Sequence, residues 1–439
     1  MIFLKQYLIV AGFTVLLVSS KALSNPTTTT KLPLNPPSIL LIPNSPTFEL
    51  EEIAKSNSKK IPGSSSYGRA WRSWSVVGTQ HIRSQLYYNL PHPVNNDSTQ
   101  KLEFELGMAA DQGIMPSFAD PGSRSGYALD FFCRVHLLAD LLVDSLATQD
   151  QTTNSHLNIT RKDPEFISKS FAKQLHHLFQ PHSNTPNSNS AERNACVQMT
   201  SIGGGPGYDF VALSLLASYR NIITSCRTNS SCTTTYNNVQ SRVFDYEEGW
   251  ADLVDAMSIS TQTVLSFPTL QNRHNHTCQF GGKCDITQPL SHPSNIHLLE
   301  SIPDTQLFIC QYCVAENAVK LRQSNFIFFQ QLFQTAEENS LFVFTETTHR
   351  LWPDFLDLIR QSSLDYDDVN TVDYNIHFPI HRGRGGSSGW QMFLHKQKGA
   401  QISSEILHQI ENFRKDHYMH ELKLEKGFTR QQKKIRGGK

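Results

Sequence analysis

An α/β fold, with an open and largely parallel sheet preceded by a helical segment, is what the sequence predicts, on three observations. Cys196 to Ser218, CVQMTSIGGGPGYDFVALSLLAS, passes from a short apolar run of strand type through Gly203 to Gly207, which forbid regular structure, into a stretch with a broad apolar helical face. Behind it, apolar runs at Val239 to Asp245, Thr305 to Val314 and Leu341 to Thr345 alternate with stretches of helical spacing, the rhythm of βαβ units. Two late runs, Tyr374 to Phe378 and Gly389 to His395, read as a closing hairpin joined by HRGRGGSSG.

The chain has 439 residues and 38% hydrophobic content, enough for a substantial core. Lys plus Arg and Asp plus Glu both number 39, so net charge selects no partner, although the C-terminal end is basic. Residues 1–24 read as a signal peptide or targeting segment: Lys5, an apolar or small-residue run from Tyr7 to Val18, and small residues at the minus-three and minus-one positions if cleavage follows Ser24. That run is shorter than the roughly 20 apolar residues of a stable span, so no membrane span is expected after cleavage, an uncleaved anchor being the alternative. The expected destination is the secretory pathway or the outside of the cell. In an alga with a complex plastid, the same segment would open a bipartite plastid signal.

Residues 25–66, rich in Pro, Thr, Ser and Lys, read as a flexible linker. Residues 67–180 are the expected N-terminal helical cap, opened by Trp71, Trp74, Tyr87 and Tyr88 and closed by Leu129, Phe132, Val135, Leu138, Leu141 and Leu142 at helical spacing. Between them the loop Gly113 to Gly126 carries Asp120, Arg124 and Tyr127 as groups to close over a ligand. Asp130 and Arg134, four apart on one helical face, are expected to pair. Residues 181–195 form a polar linker, 196–398 the α/β domain, and 399–439 a helical stretch that ends in the basic RQQKKIRGGK.

The glycine spacing separates two ligand classes. A dinucleotide fingerprint G-x-G-x-x-G would need a third glycine at Tyr208, whereas the glycines present are Gly203, Gly205 and Gly207. In its strand-turn-helix setting this G-x-G-x-G resembles the first motif of the class I S-adenosylmethionine-dependent methyltransferases. The resemblance covers about Cys196 to Lys398 and implies a Rossmann-like, seven-stranded methyltransferase sheet behind the cap, with S-adenosyl-L-methionine as cofactor and no metal.

It also implies roles. Gly203, Gly205 and Gly207 would underlie the methionine end of the cofactor. Ser201 stands where many members carry an acid, so either Ser201 or Asp209 would meet the cofactor's ammonium, unless Asp209 only caps its helix. Asp245, at the end of the second strand, would accept both ribose hydroxyls, with Glu247 as the competing choice. Asp285, after an irregular third strand Thr277 to Thr287, would contact the adenine amino group. Tyr312 and Glu316 after the fourth strand, and Glu346 after the fifth, would face the methyl acceptor, with His349 a further base candidate. A long helix is expected from Asn317 through Phe333.

The acceptor is left open between a small molecule and a polymer, and no S/D/N-P-P-Y/F motif of amino-methylating enzymes follows the fourth strand. A methyltransferase-like domain that binds without catalysis is the alternative from a different class. An RNA methyltransferase using the basic tail is a narrower one, against which the signal segment argues. Cys226 with Cys232, and Cys278 with Cys284, bracket polar loops that two small disulfides would close, unless all four are free thiols. Cys310 and Cys313 form a CxxC, but in a strand positions three apart face opposite sides, so neither zinc nor redox chemistry is expected there.

Overall fold

In this computed structural model the described residues are 46–58, 65–112, 116–136, 138–140, 142, 169–179, 196–228, 238–267, 275–346, 352–355, 357–358, 372–377, 390–398 and a few positions between 408 and 419. The signal segment, the 181–195 linker, Cys232, His349, the hairpin connection HRGRGGSSG and the basic tail lie outside them. In chain order the elements are α1 (Pro46–Asn57), α2 (Ser65–Asn89), α3 (Asn96–Gln112), α4 (Pro121–Asp130), α5 (Lys169–Leu178), β1 (Cys196–Ile202), α6 (Tyr208–Thr228) and β2 (Asn238–Asp245). There follow α7 (Ala251–Leu265), β3 (Thr277–Lys283), α8 (Ile296–Ser301), β4 (Leu307–Gln311), α9 (Ala318–Gln323), α10 (Ile327–Thr335), β5 (Leu341–Glu346), β6 (Val372–His377) and β7 (Trp390–Lys398).

The sheet has seven strands in the order β3-β2-β1-β4-β5-β7-β6. β1 to β5 are parallel, and β7 runs antiparallel to both β5 and β6. Side chains alternate between two cores as the two-residue period requires: Leu307 and Ile309 face the first, Phe308 and Cys310 the second. The first core also takes in the cap. Trp71 and Trp74 of α2 pack on Tyr219 of α6 at ring distances of 5.1 and 5.3 Å, so cap and sheet share one apolar interior. The second core is rich in phenylalanine, with Phe329, Phe333 and Phe344 gathered around Phe355 and Phe342 packed against Phe333.

Four expectations need correction. Part of the 25–66 linker is α1, whose Leu50 and Ala54 are fully buried and whose Leu50 carbonyl accepts a 2.8 Å hydrogen bond from the Trp74 indole. The long helix after β4 is two helices, because Asn325 and Phe326 adopt φ of 50° and 54° and send the Phe326 ring into the core. Asp130 and Arg134 do not share a helical face: α4 ends at Asp130, and Arg134 turns inward. Cys278 and Cys284 are free, buried in different cores at the two ends of β3, so no disulfide joins them.

One buried cation secures the sheet to a helix end. Lys396 of β7 donates to the carbonyls of Phe333, Gln334 and Ala336 at 2.9, 3.0 and 2.5 Å, filling the role of a C-cap for α10. Lys396→Met is expected to leave these carbonyls without a donor and cost about 1–3 kcal/mol, read as a lowered urea midpoint. An unchanged midpoint would mean that water replaces the ammonium.

Candidate functional site

The register pairs Ile202 with Phe244 and Ser201 with Ile309, so β1, β2 and β4 end together at one edge of the sheet. The strand order reverses at β1, the place where open α/β sheets leave a crevice. Gly203, Gly205 and Gly207 turn the chain there with φ of 62°, 51° and 92°, the left-handed region that a Cβ disfavours. Gly203 is also enclosed: a Cβ on it would lie 2.8 Å from Cys313 Sγ. The Gly203 N–H donates to the Phe244 carbonyl at 2.8 Å, tying the turn to the end of β2.

Asp245, last in β2, receives the Gly205 N–H on Oδ2 at 3.0 Å and the Glu247 N–H on Oδ1 at 3.1 Å. Burial pushes its carboxyl up to about 6, and those backbone donors hold it from going further. Glu247 points elsewhere, accepting from the Gly249 N–H at 2.9 Å and facing Arg124 at 4.0 Å, whereas each Asp245 oxygen keeps a second acceptor site beside its backbone donor, which makes Asp245 the candidate for a ribose. A glycine turn after β1, an acid closing β2 and an antiparallel β7 inserted beside β5 stand together on one sheet.

The fold is that of the class I methyltransferases. No protein-family model and no curated protein matches the sequence. Solved structures to which the chain is similar include a S-adenosylmethionine-dependent methyltransferase of Methanosarcina mazei (9% identity, 46% of this chain and 93% of that one, TM-score 0.28) and the precorrin-6y C5,15-methyltransferase of Geobacter metallireducens (9%, 54% and 94%, 0.25). An rRNA methylase of Streptococcus thermophilus is another (10%, 46% and 88%, 0.23).

In this methyltransferase fold Ser201 does not itself face the cleft. It is fully buried and donates its hydroxyl to Asp209 Oδ2, while the amide of Gln311, the last residue of β4, donates to Oδ1. Asp209 is thereby the acid of the turn, delivered from the first turn of α6, and burial raises it to about 6 against the pull of those two donors. Asp285 is turned away into a local cap, its Oδ1 accepting from the Thr287 N–H at 3.0 Å and the Thr287 hydroxyl at 2.6 Å.

The acceptor-side candidates cluster with a residue that the sequence reading had assigned elsewhere. Arg134 hydrogen-bonds the Tyr127 hydroxyl, and its guanidinium lies 5.3, 4.9 and 4.4 Å from the ring centres of Tyr127, Phe131 and Tyr312. Burial opposes its charge, but Tyr127, Glu316, Tyr208 and Tyr312 outweigh that and hold it above its ordinary value. Burial raises Tyr312 to about 12, with Arg134 pulling the other way. Burial raises Glu316 to about 7, Arg134 again opposing.

Glu346 is raised to about 8 by burial and by Glu316. Its Oε1 accepts the Val314 N–H at 2.7 Å, and Oε2 is buried without a hydrogen-bond partner among the described residues. Through Tyr127 the cap closes over the glycine turn. Tyr127 and Trp250 each come within 3.9 Å of where a Cβ on Gly205 would be, and Tyr208 donates its hydroxyl to the Tyr127 carbonyl at 2.7 Å.

Gln311 and Trp250 are not among the residues that the sequence motifs single out. The available signals were a polar residue ending an otherwise apolar strand, FICQ, and a lone cation in an apolar helical run, FFCRVHLL. Among the described residues no group of three or more His, Cys, Asp or Glu is placed to hold a metal, and no helix is long and apolar enough to cross a membrane.

Proposed function

We propose that this protein is an S-adenosylmethionine-dependent methyltransferase, acting on a small molecule or a polymer met in the secretory pathway. The reading rests on one observation above the others: the Gly205 N–H meets the Asp245 carboxylate across the ends of β1 and β2, in a turn with three glycines at positive φ. A nucleoside laid over that edge finds a carboxylate that accepts two hydroxyls at once and a backbone with no Cβ in its way. Charge favours a cationic ligand, because at pH 7 Asp209 and Asp245, with the ionised fraction of Glu316, outweigh the single guanidinium of Arg134 among them.

When bound, S-adenosylmethionine supplies a methyl group on a positively charged sulfur, and the protein's task is mainly to align an acceptor with it. Asp245 would hold the ribose and Asp209, braced by Ser201 and Gln311, the methionine end. Glu316, which titrates near neutrality, is suited to take a proton from a hydroxyl or amine acceptor. Glu346 stays protonated at pH 7 and keeps the floor of the site neutral. Tyr312 and Arg134 wall the acceptor side.

A second reading is binding without methyl transfer. It is favoured by the Tyr127 and Trp250 rings over Gly205, which have to shift before a ligand can lie on the turn. Calorimetric titration of the chain with S-adenosylmethionine and S-adenosylhomocysteine tests the cofactor; micromolar binding of both is expected. A folded protein that binds neither would reject the methyltransferase reading. Cofactor binding with no transfer of labelled methyl to any acceptor in a broad screen would favour the second.

A further inference from the structure

The CxxC that strand geometry had ruled out is brought together by a single residue. β4 stops at Gln311, and Tyr312 takes φ of 59° while its N–H donates to the Thr345 carbonyl at 2.7 Å. A left-handed residue folds the chain back where an extended one would have carried Cys313 to the far side, and both thiols end in the second core. Cys310 Sγ and Cys313 Sγ are 2.9 Å apart, with 1% and 8% of the two residues exposed.

We propose that Cys310 and Cys313 are a redox site that forms a reversible disulfide, with a small disulfide of the glutathione class as oxidant and its thiol as reductant. Closure to a bond of about 2.05 Å needs the sulfurs to approach by less than an ångström. Cys313, the more exposed of the two, attacks the small disulfide as thiolate, forming a mixed disulfide and releasing one small thiol. Cys310, deprotonated in turn, attacks the Cys313 sulfur and expels the second small thiol. Two protein S–H bonds and one small disulfide are thus exchanged for one protein disulfide and two small thiols.

The location gives the bond a consequence. Cys313 Sγ lies 3.7 Å from the Ile202 carbonyl and 2.8 Å from where a Cβ on Gly203 would stand, so it is packed against the start of the glycine turn. Drawing that sulfur toward Cys310 resets the wall beneath Gly203. The hydrogen bond to Cys310 and burial raise the Cys313 thiol well above its ordinary value, and burial raises Cys310, so exchange in the folded protein is slow at neutral pH.

The test uses the whole chain, equilibrated in oxidised or reduced glutathione until labelling no longer changes, then denatured and alkylated. Cleavage after glutamate isolates residues 301–316, which carry no cysteine besides this pair. From the oxidised sample this peptide is expected unlabelled and lighter by two hydrogens, and labelled twice from the reduced one; Cys310→Ser should trap Cys313 in the oxidised sample as its mixed disulfide, a peptide carrying one glutathionyl group. Two labels on the peptide from the oxidised sample overturn the proposal.

A second readout, which rests on the methyltransferase reading, is a several-fold difference in S-adenosylhomocysteine affinity between the two samples. A disulfide with no cofactor binding in either state would count against that reading and leave the redox site standing. Equal affinities with the disulfide present would overturn only the link to the turn.

Discussion

Asp245→Ala is expected to weaken S-adenosylhomocysteine binding by a factor of roughly 100 to 10,000. A carboxylate that accepts two ribose hydroxyls contributes about 1.5–3 kcal/mol for each charge-assisted hydrogen bond, and alanine accepts neither. The same substitution strips the acceptors from the Gly205 and Glu247 N–H groups, 3.0 and 3.1 Å from the carboxylate oxygens, so the turn itself loosens. Asp245→Asn separates the two effects. Its amide oxygen can still serve one backbone donor, but its NH2 confronts the other and cannot accept from a hydroxyl. A melting temperature close to wild type with binding lost in both variants would assign the loss to the ribose contact. Unchanged affinity in a folded Asp245→Ala protein would remove the main support for the proposed function.

Glu346 sets the second expectation, a stability that falls as pH rises. Its folded-state value of about 8 stands above the ordinary 4.5, so the folded protein binds this proton more tightly than the unfolded chain. The stability it contributes is complete below about 4.5 and is lost as pH climbs through 8. Between about pH 6 and pH 8 the loss from this one group is on the order of 2 kcal/mol. Glu346→Gln keeps an oxygen for the Val314 N–H and never ionises. Its buried NH2 lacks an acceptor, so the variant should be less stable than wild type at pH 6, yet lose less by pH 8. Parallel urea midpoints for the two proteins across that range would show that Glu346 is ionised throughout.

The elements governed by local rules were legible. Strand positions followed from apolar runs and the two-residue period, and the glycine turn from residues that alone tolerate φ of 62°, 51° and 92°. Asp245 followed from its place at the end of β2. α1 was missed because its apolar positions, Leu50, Ile53 and Ala54, are few and meaningful only against Trp74 and the core they join. The helix break at Asn325 and Phe326 was missed for the same kind of reason: neither residue demands a left-handed backbone, and burial of the Phe326 ring selects it.

By itself, then, the sequence determined an α/β sheet with a glycine turn at its crevice and an acid on the neighbouring strand, because backbone conformation and side-chain period are decided within a few residues. Tertiary structure alone decided which groups face one another. Arg134 left its helical neighbour Asp130 for three aromatic rings, Ser201 and Gln311 became the two donors to Asp209, and Tyr312 folded Cys313 back upon Cys310. Gln311 with Asp209 and Tyr312 with Arg134 join segments distant in sequence, and the meeting of Cys310 with Cys313 hangs on one left-handed residue. Their free energy comes from burial and charge compensation at the shared sheet edge, which no local pattern encodes.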